Sequence, residues 1–222
     1  MKKILVIAAH PDDEILGCGG TVARMVKDGC KAYTLILGEG IASREGVRNK
    51  SAKILELRKQ AIRANKIIGA SGTSLFDFPD NRFDTAPLLD IVKTVEKIKN
   101  KIRPDVIFTH YVRDLNIDHR IAFQAVITAT RPCLGENTKE IYSFEVPSST
   151  EWNYPMSFFP EMFFDIKDTI NLKLKALAEY KGELKDFPHP RSLEGAKLNA
   201  QYWGMQVGLT HAEVFKVVRQ IK

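Results

Sequence analysis

Short apolar runs alternate with segments of helical period along most of this chain, and that alternation restricts what it can fold into. Lys3–Ala8, Ala32–Leu37, Thr73–Phe78, Asp105–Thr109, Ile141–Val146 and Met162–Ile166 read as strands. Between them, helical spacing covers Thr21–Lys27, Ser51–Ile68, Leu88–Ile102 and Asp118–Thr130, with Gly29, Gly69, Pro104 and Pro132 as stops. A further helix is expected from an Asp168 cap to about Leu184, and another over Leu193–Val207. Glu213–Val218 fits either a last strand or a short helix. Strands that alternate with helices imply an α/β fold: a doubly wound, Rossmann-like, mostly parallel open sheet with helices on both faces. At 222 residues, with no linker or internal repeat, one domain spanning 1–222 is expected.

In an open sheet of this kind ligands bind beyond the carboxyl ends of the strands. The first strand ends directly in Ala9-His10-Pro11-Asp12-Asp13-Glu14, a histidine and three acids. Groups crowded this closely are costly to hold unless a divalent cation compensates them. Imidazole with carboxylate suits zinc, and less selectively Fe, Co or Mn. The fourth strand ends in a second ionisable stretch, His110-Tyr111-Val112-Arg113-Asp114-Leu115-Asn116-Ile117-Asp118-His119-Arg120. With strands in the order 3-2-1-4-5, the two clusters meet at the switch point. His10, Asp13 and His119 then supply three ligands and leave an open position, the layout of a catalytic metal site. Asp12 stands beside such a metal as a candidate base for activated water. Asp118 is a candidate to orient a neighbouring ligand.

These segments carry a resemblance. His10-Pro11-Asp12-Asp13-Glu14, the Gly-rich Leu16-Gly17-Cys18-Gly19-Gly20-Thr21 read as a turn after it, and Asp118-His119-Arg120 together resemble the LmbE/PIG-L family. The resemblance implies a Rossmann-like zinc-dependent N-deacetylase acting on N-acetylglucosaminyl compounds. It implies His10, Asp13 and His119 as metal ligands and Asp12 as general base, and it points to Arg58 as a substrate contact. It also implies a homo-oligomer, a trimer or hexamer. One departure stands out. Many members have His-Pro-Asp-His in the second motif, where this chain reads Asn116-Ile117-Asp118-His119. Asn116 can donate a hydrogen bond to an oxyanion but cannot act as an acid at neutral pH. His110 is then the nearby candidate for proton transfer.

By position, Arg44 in the loop after the second strand, and Asp80, Asn81 and Arg82 after the third, are candidate substrate contacts; surface structure explains them equally well. Trp152 fits either stacking on a sugar ring or core packing. Cys18 between glycines reads as a small packing residue.

The net charge is +6, but Lys and Arg are dispersed, and the Lys93–Arg103 cluster reads as a solvated helix face. Neither an aromatic-interleaved basic stripe nor zinc-finger spacing supports nucleic-acid binding. Cys18, Cys30 and Cys133 are odd in number and form no Cys-x-x-Cys pair, as expected of free thiols in a reducing compartment. No apolar stretch approaches the roughly 20 residues of a membrane span, and no small-residue cleavage site follows the first apolar run. A soluble cytoplasmic enzyme with a small-molecule amino-sugar substrate is expected. Two other readings compete. One is a metal hydrolase of another amide or a phosphoester, which often needs a second metal. The other is a non-catalytic nucleotide-binding module, against which the first turn lacks G-x-G-x-x-G.

Overall fold

A computed structural model describes residues 1–40, 49–155 and 158–222. Its strands are β1 (Lys3–Ala8), β2 (Lys31–Gly38), β3 (Gly72–Phe78), β4 (Val106–His110), β5 (Glu140–Phe144), β6 (Met162–Asp165) and β7 (Ala212–Gln220). Its helices are α1 (Asp13–Lys27), α2 (Lys50–Ile67), α3 (Leu88–Ile102), α4 (Ile117–Ala129), α5 (Ile170–Leu177) and α6 (Leu193–Met205). The strands form one sheet in the order β3-β2-β1-β4-β5-β7-β6. The first five are mutually parallel, and β7 runs antiparallel between β5 and β6. The expected α/β sheet and its 3-2-1-4-5 core are therefore present.

Period-two alternation in β1 divides the core in two. Ile4, Val6 and Ala8 pack with Ile15 and Val22 of α1, Leu57 and Ala61 of α2, and Ala176 of α5. Leu5, Ile7 and Ala9 pack on the other face with Ile91 and Val95 of α3 and Ala122 and Val126 of α4. A central strand buried on both faces reads as a continuous apolar run for this reason.

Two local expectations change, and one left open between strand and helix is decided. The Gly-rich stretch is no turn: α1 begins at Asp13, and Leu16–Thr21 lie buried within it. A Cβ on Gly17 would sit 2.2 Å from the Phe144 ring, and one on Gly20 would sit 2.9 Å from Ile166. The glycines thus serve close packing of the helix on the sheet. Helix α5 is capped by Thr169 rather than Asp168 and ends at Leu177, not near Leu184. Beyond it the chain turns to place the fully buried Tyr180 hydroxyl on Glu14. Glu213–Val218 lies within strand β7. Among the described residues, no helix is long and apolar enough to cross a membrane.

Candidate metal centre and active site

β1 and β4 pair directly, with Ile4, Leu5 and Val6 opposite Val106, Ile107 and Phe108. Their carboxyl ends therefore deliver His10 and His110 side by side, and the starts of α1 and α4 add Asp13 and His119. His10, Asp13 and His119 are buried, and their donor atoms lie within 4.8 Å of one another. A second group, His10, Asp80 and Asp118, meets the same criterion.

Hydrogen bonding separates the two groups. His10 Nε2 lies 2.9 Å from Asp118 Oδ2. An ionised carboxylate only accepts, so Nε2 carries the proton. Asp118 Oδ1 is engaged by the Phe83 N–H at 2.9 Å, so both its oxygens are in use. The other His10 nitrogen, Nδ1, lies 3.4 Å from Asp13 Oδ2. His119 repeats the arrangement: Nδ1 is 3.1 Å from Asp114 Oδ1, and Nε2 is 3.3 Å from Asp13 Oδ2. Each imidazole thus has a carboxylate behind it and turns its other nitrogen toward Asp13, as histidine ligands of metals commonly do. The His119 Nδ1–Asp114 contact is an ion pair rather than a hydrogen bond, and Asp13 Oδ1 and His119 Nε2 are buried without a hydrogen-bond partner. Orphaned buried polar atoms are costly, and a divalent cation would satisfy both. The residues present therefore fit a metal.

The electrostatics agree. Burial works against charge on His10, but Asp118, Asp13 and Asp80 prevail and raise it to about 10. Burial likewise opposes charge on His119, and Asp13 and Asp114 lift it to about 9. Burial would raise Asp13, yet His119, His10 and His110 hold it well below the ordinary carboxylate range. Asp114, against its burial, is held down to about 2 by His119, Ser149 and Thr150. The site is arranged for positive charge at its centre.

Asp12 has φ 101°, a conformation rare for a residue with a side chain. Its N–H donates to Glu14 Oε2 at 3.0 Å. Glu14 is itself held by Tyr180 and by Asn65 Nδ2 at 2.8 Å. Burial pushes the Asp12 carboxyl well up, and Arg191 opposes this. Arg191 Nη1 lies 3.4 Å from Asp12 Oδ2, while its Nε donates to Ser148 Oγ at 2.8 Å and to the Pro147 carbonyl at 3.2 Å.

The remaining sequence candidates are dispersed. His110 is fully buried, stacked on His119 at 4.0 Å, and its Nε2 accepts the Ala9 N–H at 2.8 Å. Burial and His119 keep it neutral, well below its usual range. That geometry suits packing beneath the site rather than proton delivery. Asn116 caps α4, its Oδ1 accepting the Asp118 N–H at 2.8 Å, and its Nδ2 reaches Asn81 Oδ1 at 3.2 Å. Asp80 is buried 3.4 Å from His10 Nε2, whereas Asn81 and Arg82 are exposed. Arg58 donates to the Phe76 carbonyl at 3.1 Å, tying α2 to β3. Arg44 lies outside the described residues. Cys18 is buried and all three cysteines are free. Sequence reasoning gave no role to Asp114, Glu14 or Arg191. Asp114 sits among the polar residues after β4, and the prolines before Arg191 mark a stiff loop.

The fold and this centre define a protein of the PIG-L family, described as GlcNAc-PI de-N-acetylase, to which the chain belongs; residues 5–130 match it. Relatives include the uncharacterized deacetylase YaiS of Escherichia coli K12, 32% identical over 81% of this chain and 91% of that one. The diacetylchitobiose deacetylase of Thermococcus kodakarensis is 24% identical over 98% of this chain and 84% of its own length. Among solved structures, the 4-carboxy-2-hydroxymuconate hydratase GalB of Pseudomonas putida superposes with TM-score 0.78 at 22% identity, covering 100% of this chain and 98% of that one. That likeness is one of fold. A hydratase on this fold shows that activity has to be argued from the site.

Proposed function

We propose that this chain is a metal-dependent hydrolase that removes the N-acetyl group from an N-acetylated amino sugar or its conjugate. His10, Asp13 and His119 would hold the metal, zinc by their donor chemistry. The observation that carries this reading is the convergence of two carboxylate-backed imidazoles on Asp13, with orphaned donor atoms at their meeting point and Asp12 beside them. The family and the relatives named as deacetylases support it.

A divalent cation there supplies Lewis-acid polarisation of the amide carbonyl and lowers the pKa of water toward ~7. The protein's own residues do the rest. Asp118 and Asp114 fix the orientation of His10 and His119. Glu14 holds the backbone of Asp12, and Arg191 holds its carboxylate. Asp12 takes the proton of the attacking water. Because His110 is buried and Asn116 caps a helix, Asp12 also returns that proton to the departing amine.

The test is Asp12→Asn. Metal content should stay stoichiometric while amine release from N-acetylglucosamine conjugates falls by about 10²–10⁴-fold. Full turnover in that variant, or wild-type turnover unaffected by a chelator, would reject the mechanism.

A further inference from the structure

A cavity of about 530 Å³ has Glu145, Tyr154, Phe158, Asn199, Tyr202 and Trp203 among its described lining. Glu145 directly follows β5, so it leaves the sheet at the carboxyl end, where His10 and His119 also sit. Pro147 and Pro190 belong to the cavity wall. The residues next to them, Ser148 and Arg191, bond to each other, and Arg191 reaches Asp12.

Glu145 decides what this cavity can take. Its Oε1 accepts from Asn199 Nδ2 at 2.8 Å and from Trp203 Nε1 at 2.6 Å. Among the described residues no hydrogen bond reaches Oε2, and Glu145 lines the cavity. Burial pushes the carboxyl above its usual range. A purely apolar ligand would give no return for holding an acid there. A second acid, Glu151, lines the cavity, and the described lining contains no Lys or Arg. The described lining thus offers a phosphate or carboxylate no cationic partner. The aromatic walls are open to solvent: Tyr154 is 82% and Tyr202 50% exposed. Aromatic faces beside a hydrogen-bonded carboxyl and amide match a pyranose ring, which has an apolar C–H face and a rim of hydroxyl donors.

We infer that this cleft binds an uncharged pyranose unit adjoining the acetylated sugar, so that the enzyme prefers neutral glycosides to phosphate-linked conjugates. The specificity claim rests on the deacetylase reading; binding in the cleft does not.

The experiment uses the zinc-loaded full chain. Amine release is measured with N-acetylglucosamine, N,N'-diacetylchitobiose and UDP-N-acetylglucosamine. The neutral disaccharide should exceed both others in kcat/KM by about tenfold or more, the factor that 1.4 kcal/mol of added binding gives. Tyr202→Ala, at an exposed position, and the conservative Glu145→Gln should each bring the disaccharide-to-monosaccharide ratio toward one. A wild-type ratio near one, a preference for the nucleotide sugar, or a ratio unmoved by both variants overturns the specificity claim. Calorimetry with cellobiose, which has no amide, separates the two readings. If no substrate releases amine but cellobiose binds and Tyr202→Ala abolishes it, the cleft stands and the deacetylase reading fails. If amine is released while cellobiose leaves no heat, or if tetramethylammonium binds in its place, the cleft assignment fails alone.

Discussion

His119 shows how one residue's role depends on a neighbour that the motif does not include. Its Nε2 faces Asp13, and what aims it there is Asp114, 3.1 Å from Nδ1. Asp114 is fixed in turn by Ser149, by Thr150 Oγ1 at 2.5 Å and by the Asn116 N–H at 2.9 Å. Replacing it with Asn removes the charge that holds the imidazole without changing the side chain's size. Asp114→Asn should weaken zinc binding by about 10–100-fold, read by competition with a chromogenic chelator, while the fold persists. Unchanged affinity would mean that Asp114 serves the loop alone. That His10, Asp13 and His119 come together was legible in the sequence, because their positions after two strands that pair directly bring them to one place. Asp114 was not, because only the backbone path after β4 distinguishes it from Asp118, and that path depends on Ser149 and Thr150, more than thirty residues away. Arg191, from a loop near the far end of the chain, was hidden for the same reason.

Helix α1 is where the packing of an element governs the site. The Leu16 carbonyl accepts Lys173 Nζ at 2.7 Å and the Gly20 N–H donates to Glu213 Oε1 at 2.9 Å. Lys173 and Glu213 pair with each other at 2.6 Å, both buried. An ion pair from α5 and β7 thus engages backbone groups of the helix that starts with Asp13. Breaking a buried pair from one side leaves an uncompensated charge, at about 3–5 kcal/mol. Lys173→Met should therefore destabilise strongly in urea unfolding. The double variant Lys173→Met/Glu213→Met should lose less than the sum of its singles, because removing both partners leaves no uncompensated buried charge; additive losses would refute the coupling. Gly17→Ala is a separate test of the same helix. Its Cβ would meet the buried Phe144 ring at 2.2 Å, so about 1–3 kcal/mol should be lost to overpacking. The Gly-rich stretch misled the sequence reading because glycine's usual meaning is a turn. Only the sheet packed beneath the helix shows that side chains are excluded there.

The whole molecule joins its two halves through the centre of the sheet. Parallel pairing of β1 with β4 brings residues about a hundred positions apart to one edge, and this much follows from strand–helix alternation alone. The antiparallel β7 does not follow from it. Its local pattern fits either element type, and its place between β5 and β6 is set by long-range pairing. The proposed metal centre spans this central seam, with His10 and Asp13 after β1 and His119 after β4. A cation bound there cross-links the seam in the folded state and finds no such site in the unfolded chain. Binding to the native state alone adds about 2.7 kcal/mol when free metal is 100 times its dissociation constant. For a domain of this size each kcal/mol moves Tm by roughly 2–4 °C. Chelator-stripped protein titrated with zinc should therefore gain about 5–11 °C in Tm. His119→Ala should lose most of that gain, whereas Asp12→Asn should retain it. The pair of variants separates holding the metal from using it. A Tm unmoved by zinc, cobalt and manganese, or an Asp12→Asn response as small as that of His119→Ala, would remove the metal from this seam and leave the orphaned Asp13 and His119 atoms to be explained by protons shared among the buried histidines.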